Sequence, residues 1–572
     1  MLQPLCCKAE LRVKRQVIEA VLFEEILPYE NSDRTYYIYG HNGVYQCEAR
    51  ETAFGRFRVN EESIYYIEKD GSLANVSLEQ LVNELTTDSE VQTRLLNELQ
   101  QTIRLTEWNE SKLAPHLQSR RDLPFEELES EIMEGHPYHP CYKSRTGFTI
   151  DDHQQFGPEA KKSFSLQWIA VRRSDVNIAF PYEEPEFFKK ELGVEVWESF
   201  TSQLQQAEKN VIDYTFLPVH PWQWRNLVES GRLEEVLRNG DLLPLDFKGD
   251  FYRATQSVRT LWNETNREKA HIKLPMNMVN TSSLRTLASH SVCTAPHISL
   301  WLQKIVDSDP FLKKSLVLLQ EYAGAIYEPK DEALKEKMDG QLGVIWRESV
   351  RCHMNENEEA VPFTAFMMME RDGKLFIEHW LTKYGRDKWI ERFIEVTVLP
   401  VWHLLIAHGV GVEAHAQNMV LLHQDGWPTR VVLRDFHESV EYTEDYLANP
   451  SILPAFQSLH PLYKDATNDE YYWMSSVEGL RELVMDTLFV FHLSELSFVL
   501  EEHSGYEESV FWLNVHKAIE RHLEHFPHLR KRHEQLCMNQ EHIYVESLLT
   551  KKISTTKQES YRHLISNTLA MI

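Results

Sequence analysis

Leu11, Val17, Ile18, Val21 and Leu22 recur at helical spacing and predict an amphipathic helix near the start of the chain. The period then changes to two: TYYIYG, FGRFRV and SIYYIEKDGSL alternate aromatic with polar residues, and Asp70-Gly71 supplies a hairpin turn. SLEQLVNELTTDSEVQTRLLNELQQTIRL returns to a helical pattern. From 126 to 350 the texture is one of short strands, prolines and polar residues in apolar surroundings, and from 351 onward helices dominate again. A strand pair interrupts them in NMVLLHQDGWPTRVVLRDF, with Asp425-Gly426 at its turn. These patterns predict an α+β multidomain protein cut at 1–125, 126–350 and 351–572. The most apolar long run, Val396 to Val412, is broken by Pro400, His403 and His408 and predicts a buried helix, not a membrane span.

Charge changes the picture. Sixty Lys and Arg stand against 87 Asp and Glu, a formal charge of -27, which repels phosphate backbones and anionic lipid. General nucleic-acid or membrane-surface binding is thereby excluded, and an anionic ligand requires Arg and Lys gathered into one pocket. The seven cysteines (Cys6, Cys7, Cys47, Cys141, Cys293, Cys352, Cys537) are scattered without a CxxC pair, against both a disulfide framework and a cysteine zinc site. MLQPLCCKAELRVKRQ has no apolar core of a signal peptide, so a cytoplasmic location is expected. GxxxxGK[ST], GxGxxG after a strand, GxSxG and HExxH are all missing.

Four segments concentrate polar residues among apolar ones. GHPYHPCYKSRTGF presents His136 and His139 from rigid His-Pro pairs and follows them with Lys143 and Arg145, a set suited to a polyphosphate or polycarboxylate; the bland alternative is a solvated surface turn. Between Arg253 and Thr286 the frame S-x-R-T-L occurs twice, in SVRTL and SSLRTL, with Lys273 between. Two neighbouring strands would turn Ser257 with Arg259, and Ser283 with Arg285, toward one anion. HGVGVEAHAQNMVLL offers Glu413, His415, Gln417 and Asn418 after a Gly-rich helix end, groups that bind Mg²⁺ or hydrogen-bond a substrate. VVLRDFHES ends an apolar run at Asp435; Asn418 and Asp435 beside one hairpin are arranged like the magnesium residues of protein kinases, although HRD and DFG are absent. The histidines of the C-terminal stretch (His516, His522, His525, His528, His533) read as solvated, and VHPWQW as a packed corner.

Taken in order, GHPxHPxxKxRxGF, LPVHPWQW, SVRTL, KLPMNMVNTSSLRTL, GVEAHAQNMVLL and RDFHES resemble the IucA/IucC family of NRPS-independent siderophore synthetases over residues 130 to 440. The resemblance implies a hand-like thumb, fingers and palm, the palm distantly kinase-like. It implies ATP and Mg²⁺ as cofactors, citrate or a related polycarboxylate as substrate, and an amine or hydroxyl as acceptor; the carboxylate is adenylated with release of pyrophosphate, and condensation frees AMP. It assigns Ser257, Arg259, Thr260, Ser282, Lys143, Arg145 and Asn418 to the nucleotide, Arg285 and His415 to the substrate carboxylate, Lys273 and His139 (or His136) to catalysis with them, and Glu413, Asn418 and Asp435 to the metal. His437 stands where the family often has a second acid. A homodimer is expected from the family. The rival readings are a kinase-like phosphotransferase that yields ADP and a silent protein that binds citrate or a siderophore.

Overall fold

A computed structural model describes residues 7–113, 119–246, 249–556 and 560–572; the first six residues of the N-terminal run read above, Cys6 among them, lie outside these. The expected first helix spans Lys8–Phe23 and buries Val13, Val17, Ile18, Val21 and Leu22. It covers an antiparallel sheet of Tyr29–Ser32, Thr35–Tyr39, Val44–Glu51, Tyr65–Ile67 and Leu73–Asn75 in that order, with Phe57–Val59 paired to Val44–Glu51. Gly71 turns the last hairpin at φ 83°. The long helical run is two helices, Leu78–Leu85 and Ser89–Lys112. Ser77 and Gln80 close a capping box at the first, and the Asp88 carboxylate accepts from Glu90 N and Val91 N to start the second, so the TTD stretch ends one helix and caps the next.

The middle of the chain builds a seven-stranded sheet in the order Phe164–Ser165, Phe251–Ala254, Thr260–Asn263, His271–Lys273, Gly343–Arg347, Glu321–Tyr327, Val176–Ala179. A smaller sheet joins Tyr214–Val219, Gln167–Arg172 and Leu242–Pro244. Helix Ser289–Ser308 lies against Glu321–Tyr327, and a Cβ on Gly324 would come within 2.5 Å of Val292 O; glycine permits that approach. The VHPWQW corner packs as expected: His220 is buried, and its Nδ1 accepts from Trp222 N to cap Pro221–Glu229.

Further on, Leu316–Leu318 runs parallel to Trp427–Leu433, which pairs antiparallel with Met419–Gln424 and, beyond it, Glu359–Pro362. Asp425 and Gly426 both take positive φ (51° and 87°), the backbone a two-residue hairpin loop demands. The apolar run from Val396 is helical as far as His408, through Arg386–His403 and a π turn at Leu404–His408; Gly409 at φ 75° ends it, and Val410–Val412 is a strand, not the end of the helix. A second apolar helix, Val477–Ser504, has the length and hydropathy (1.6) to cross a membrane, but 72% of its apolar window is buried inside the protein, which makes it a core helix. Two of the five C-terminal histidines, His522 and His533, are buried, contrary to the solvated reading; His522 falls on the same face of Glu508–His525 as Phe511, Val515, Ala518 and Ile519.

Two large hydrophobic cores dominate the described residues. One core runs from Val13 to Tyr142 and resumes from Ile298 to Leu569, so the N-terminal segment and the C-terminal helices share it. The other joins Phe148 to Trp346. None of the described cysteines is paired.

Candidate active site

Strand register sets the floor of the site. His271 pairs with Arg347, and Arg347 with Glu321, across three adjacent strands; Lys273 lies two residues from His271 and so shares its face. All four are buried, at 2%, 2%, 0% and 6% exposure for His271, Arg347, Glu321 and Lys273, so they must satisfy one another or the loop that covers them.

That loop is RDFHES, residues 434–439, which leaves strand Trp427–Leu433 and crosses the sheet face. Asp435, at φ 67°, accepts on Oδ1 from Arg347 Nη1 (2.7 Å) and Lys273 Nζ (3.2 Å). Glu321 accepts from Phe436 N (3.0 Å), His437 N (2.9 Å) and His437 Nδ1 (3.0 Å). Burial opposes ionisation of Asp435, yet Arg347, Lys273 and Arg434 hold its carboxyl well below the usual range. The sequence reading does not single out Arg347 or Glu321; the signal present is one charged residue at the end of each of two apolar strands, Glu321 opening EYAGAIY and Arg347 closing GVIWR.

Arg259 and Arg285 differ from these. Neither forms an ion pair among the described residues. Arg259 is 8% exposed and donates to Thr286 O; Arg285 is half-buried, donates from Nη2 to Asn280 O (2.7 Å), and its Nε is sealed without a partner. Burial, then the charge of Arg259, pushes Arg285 down to about 9. Two neighbouring guanidiniums that carboxylates reach only at longer range, Glu438 and Asp435 for Arg259 and Glu413 and Asp435 for Arg285, are open to an anion from outside.

The two S-x-R-T-L segments converge, but not as neighbouring strands. Ser257 to Arg259 form the turn before Thr260–Asn263, with Val258 at φ 67°, and the partner of that strand is His271–Lys273. Ser283–Leu284 pairs with Val279–Asn280 instead. The turn residues KLPMN fold SSLRTL back on its own preceding segment, where Met276 N donates to Arg285 O, which brings Arg285 to Arg259 from the other side. Ser257 Oγ accepts from Thr260 N (3.1 Å), Thr260 Oγ1 is buried without a partner, and Ser282 is exposed on the hairpin.

Lys143 and Arg145 are neither an open anion cradle nor a wet turn. Both side chains are 2% exposed and bind Glu159, itself fully buried; Arg145 Nη1 meets Glu159 Oε2 at 2.8 Å. Their charge is consumed inside the protein, which removes them from the nucleotide set. His139 is sealed, with Nδ1 accepting from Cys141 N (3.1 Å). His136 is half-buried, its Nδ1 accepting from Tyr138 N (3.1 Å) and His139 N (3.0 Å); burial first, then His415, pushes it down to about 3.

Loop 413–418 forms the opposite wall. His415 Nδ1 accepts from Gln417 N (3.1 Å) and Asn418 N (3.2 Å), so the neutral ring carries its proton on Nε2, which stands 3.8 Å from Glu413 Oε1. His415 and Glu413 are about one-third exposed, at 33% and 34%. Asn418 Nδ2 donates to Glu413 O, and Glu413 Oε2 accepts from Ser439 Oγ. One oxygen each of Asp435, Asn418 and Glu413 therefore carries no hydrogen bond among the described residues. Such oxygens are donors of the kind a hard cation takes.

Comparison with known proteins shows what the whole chain is similar to. Residues 124–368 match the IucA / IucC family model, and residues 387–562 match the model described as ferric iron reductase FhuF-like transporter. The chain is 34% identical to the citryl-spermidine/3,4-dihydroxybenzoyl-citryl-spermidine:spermidine ligase of Bacillus anthracis, over 98% of this chain and 93% of the relative. It is 30% identical to a substituted 2-hydroxypropanoate synthase of Staphylococcus aureus, with the same coverage of 98% and 93%. The crystal structure of the petrobactin biosynthesis protein AsbB from Bacillus anthracis superposes with a TM-score of 0.91 at 32% identity, over 98% of this chain and 95% of that one.

Proposed function

The chain belongs to the IucA/IucC family, and from that membership we propose that it uses ATP to activate a carboxylate of citrate or a citrate derivative and joins it to an amine or hydroxyl. A carboxylate oxygen attacks the α-phosphorus as the bond to pyrophosphate breaks; the amine or hydroxyl then attacks the acyl carbon and AMP leaves. The names of the two curated relatives, a ligase acting on citryl and spermidine groups and a synthase, support carboxylate–amine ligation.

The observation that carries the reading is the pair Arg259 and Arg285, neither in a direct ion pair among the described residues, beside Lys273 and Arg347 in a protein of charge -27. Preorganised cations stabilise charge that grows on the phosphates more than they stabilise the ground state. In this proposal Ser257, Arg259, Thr260 and Ser282 line the nucleotide side with Asn418, and Arg285 with His415 Nε2–H holds the substrate carboxylate. Lys273 serves both, and His139, or His136 beside it, closes the site. Glu413, Asn418 and Asp435 would hold Mg²⁺, which when bound neutralises phosphate charge. The family's thumb, fingers and palm correspond to 1–125, 126–350 and 351–572, in a cytoplasmic homodimer.

The test is hydroxylamine-trapped, ATP-dependent acid activation across citrate, succinate, 2-oxoglutarate and a citryl monoamide, with pyrophosphate, AMP and ADP followed together. Pyrophosphate and AMP with one acid are expected. ADP, or no turnover by folded protein that binds Mg-ATP, overturns the proposal.

A further inference from the structure

Away from this site, Asp309, His403 and His408 bring one ligand atom each to within 4.8 Å of one another, the one such group of His, Cys, Asp and Glu among the described residues. Asp309 Oδ2 lies 3.0 Å from His403 Nε2 and 3.0 Å from His408 Nε2. We propose that these three side chains form a binding site for a borderline divalent transition-metal ion, zinc(II) above all.

Several features aim the atoms at one point. Asp309 Oδ1 accepts from Phe311 N (2.8 Å) and Leu312 N (3.0 Å), which fixes the carboxylate and leaves Oδ2 to face the imidazoles. His403 and His408 are five residues apart, and the intervening turn is π-helical, which stacks residue i+5 over residue i; an α-helical turn would swing His408 away. Behind the first imidazole, His403 Nδ1 is 2.7 Å from His522 Nε2. His522 Nε2 therefore stands where it can accept the Nδ1–H of a ligating His403, the kind of partner that orients an imidazole ligand. Phe311 and Phe526 flank His403 at 4.8 Å and 5.1 Å, an apolar wall that leaves the ligands as the polar groups at that spot.

Two imidazoles and one carboxylate select against Mg²⁺ and Ca²⁺, which take oxygen sets, and suit zinc with a fourth position open to water. Tetrahedral bonds place ligand atoms about 3.3 Å apart, so the two contacts of Asp309 Oδ2 need to open by only a few tenths of an ångström. His408 and Asp309 are 18% and 15% exposed, which gives an entry path. Helix Ser289–Ser308 carries Asp309 at its far end; at 1.5 Å per residue that is about 27 Å from Ser291, which meets Glu438 by the cationic cluster. The site therefore does not belong to the proposed adenylation chemistry. It ties together the ends of Ser289–Ser308, Arg386–His403 and Glu508–His525.

The full chain, stripped with chelator, is titrated with cobalt(II) and then zinc(II). Expected are visible d–d bands of a four-coordinate nitrogen/oxygen site at one cobalt per chain, their loss at one equivalent of zinc, no competition from Mg²⁺, and a melting midpoint raised by roughly 3 °C or more in excess zinc. His408→Gln, the outermost ligand, and Asp309→Asn should each weaken zinc by at least ~10-fold with unchanged far-ultraviolet dichroism, and His522→Asn by about 10-fold with the band shape kept. His525→Gln and His528→Gln, exposed in the same histidine-rich stretch, should change nothing. Absent cobalt bands in the wild type, or zinc binding indifferent to His408→Gln, overturns the proposal and leaves the cluster a hydrogen-bonded joint; the wild-type spectrum decides even where a variant misfolds.

Discussion

Arg347 Nη1 and Asp435 Oδ1 meet at 2.7 Å across 88 residues of sequence, one from the middle of the seven-stranded sheet and the other from the loop that closes over it. Lys273 shares the same oxygen. The pair thus fastens the cover to the floor and sets where both neighbouring cations stand.

Arg347→Met should destabilise the protein by about 3–5 kcal/mol, because it leaves a buried carboxylate with one cation fewer. Asp435→Asn alone should abolish Mg²⁺-dependent ATP binding. Combining the two should recover part of the stability, since neither charge is then stranded. Denaturant unfolding of the four proteins of this cycle measures the coupling, and additive losses would show that the contact is unimportant.

Arg285→Ala should lose most acid activation, on the order of several kcal/mol in kcat/KM. The same change should raise the melting midpoint of ligand-free protein by roughly 2 °C. The sign follows from the lowered value near 9: the folded state disfavours the cation, so the cost is present at neutral pH and fades as pH rises past 9. A fall in the midpoint at pH 7 would place Arg285 in an ion pair instead.

Glu159→Gln should cost about 3–5 kcal/mol and leave the KM for ATP unchanged in whatever protein stays folded. Against the cost of burial, Arg145 and Lys143 hold the Glu159 carboxyl well below its ordinary value. Its stabilisation is therefore complete above the unfolded carboxylate value and is lost as pH falls below it. The acid limb of a stability–pH curve should be steeper in the wild type than in the variant. A raised KM for ATP at full stability would restore Lys143 and Arg145 to the nucleotide site.

Glu441 titrates the other way. Burial, then Glu482 and Glu413, pushes it up to about 8, so the folded chain holds a proton that the unfolded chain releases near 4.5. Stability falls as pH rises between those values and levels off above 8. Glu441→Gln should stabilise at pH 9 and make no difference at pH 4, as thermal melts at the two values would show; equal effects at both would refute the shift.

Much of the fold was legible. Both Asp-Gly hairpins, the first helix and the packed corner at His220 follow from local rules of turn and period. The misread features depend on distant partners. Lys143 and Arg145 look like an anion cradle until Glu159 is seen to fill it. SVRTL and SSLRTL share a frame, yet register gave His271–Lys273 to the first. Arg347 and Glu321 lacked a recognised motif, and their importance comes from lying opposite each other across strands, which is a property of pairing and not of sequence spacing. His522 was hidden in a histidine-rich stretch whose other members at 525 and 528 are solvated.

The core shared by residues from Val13 to Tyr142 and from Ile298 to Leu569 also dictates an order of events during synthesis. Most of the segment from Phe148 to Trp346 packs on an apolar interior of its own, although helix Ser289–Ser308 gives Ile298, Trp301, Leu302, Ile305 and Val306 to the first core. The N-terminal helix and sheet, although made first, must wait with an unfinished apolar face until the last helices leave the ribosome. Nascent chains halted before residue 480 should accordingly recruit chaperones through their beginning rather than their middle.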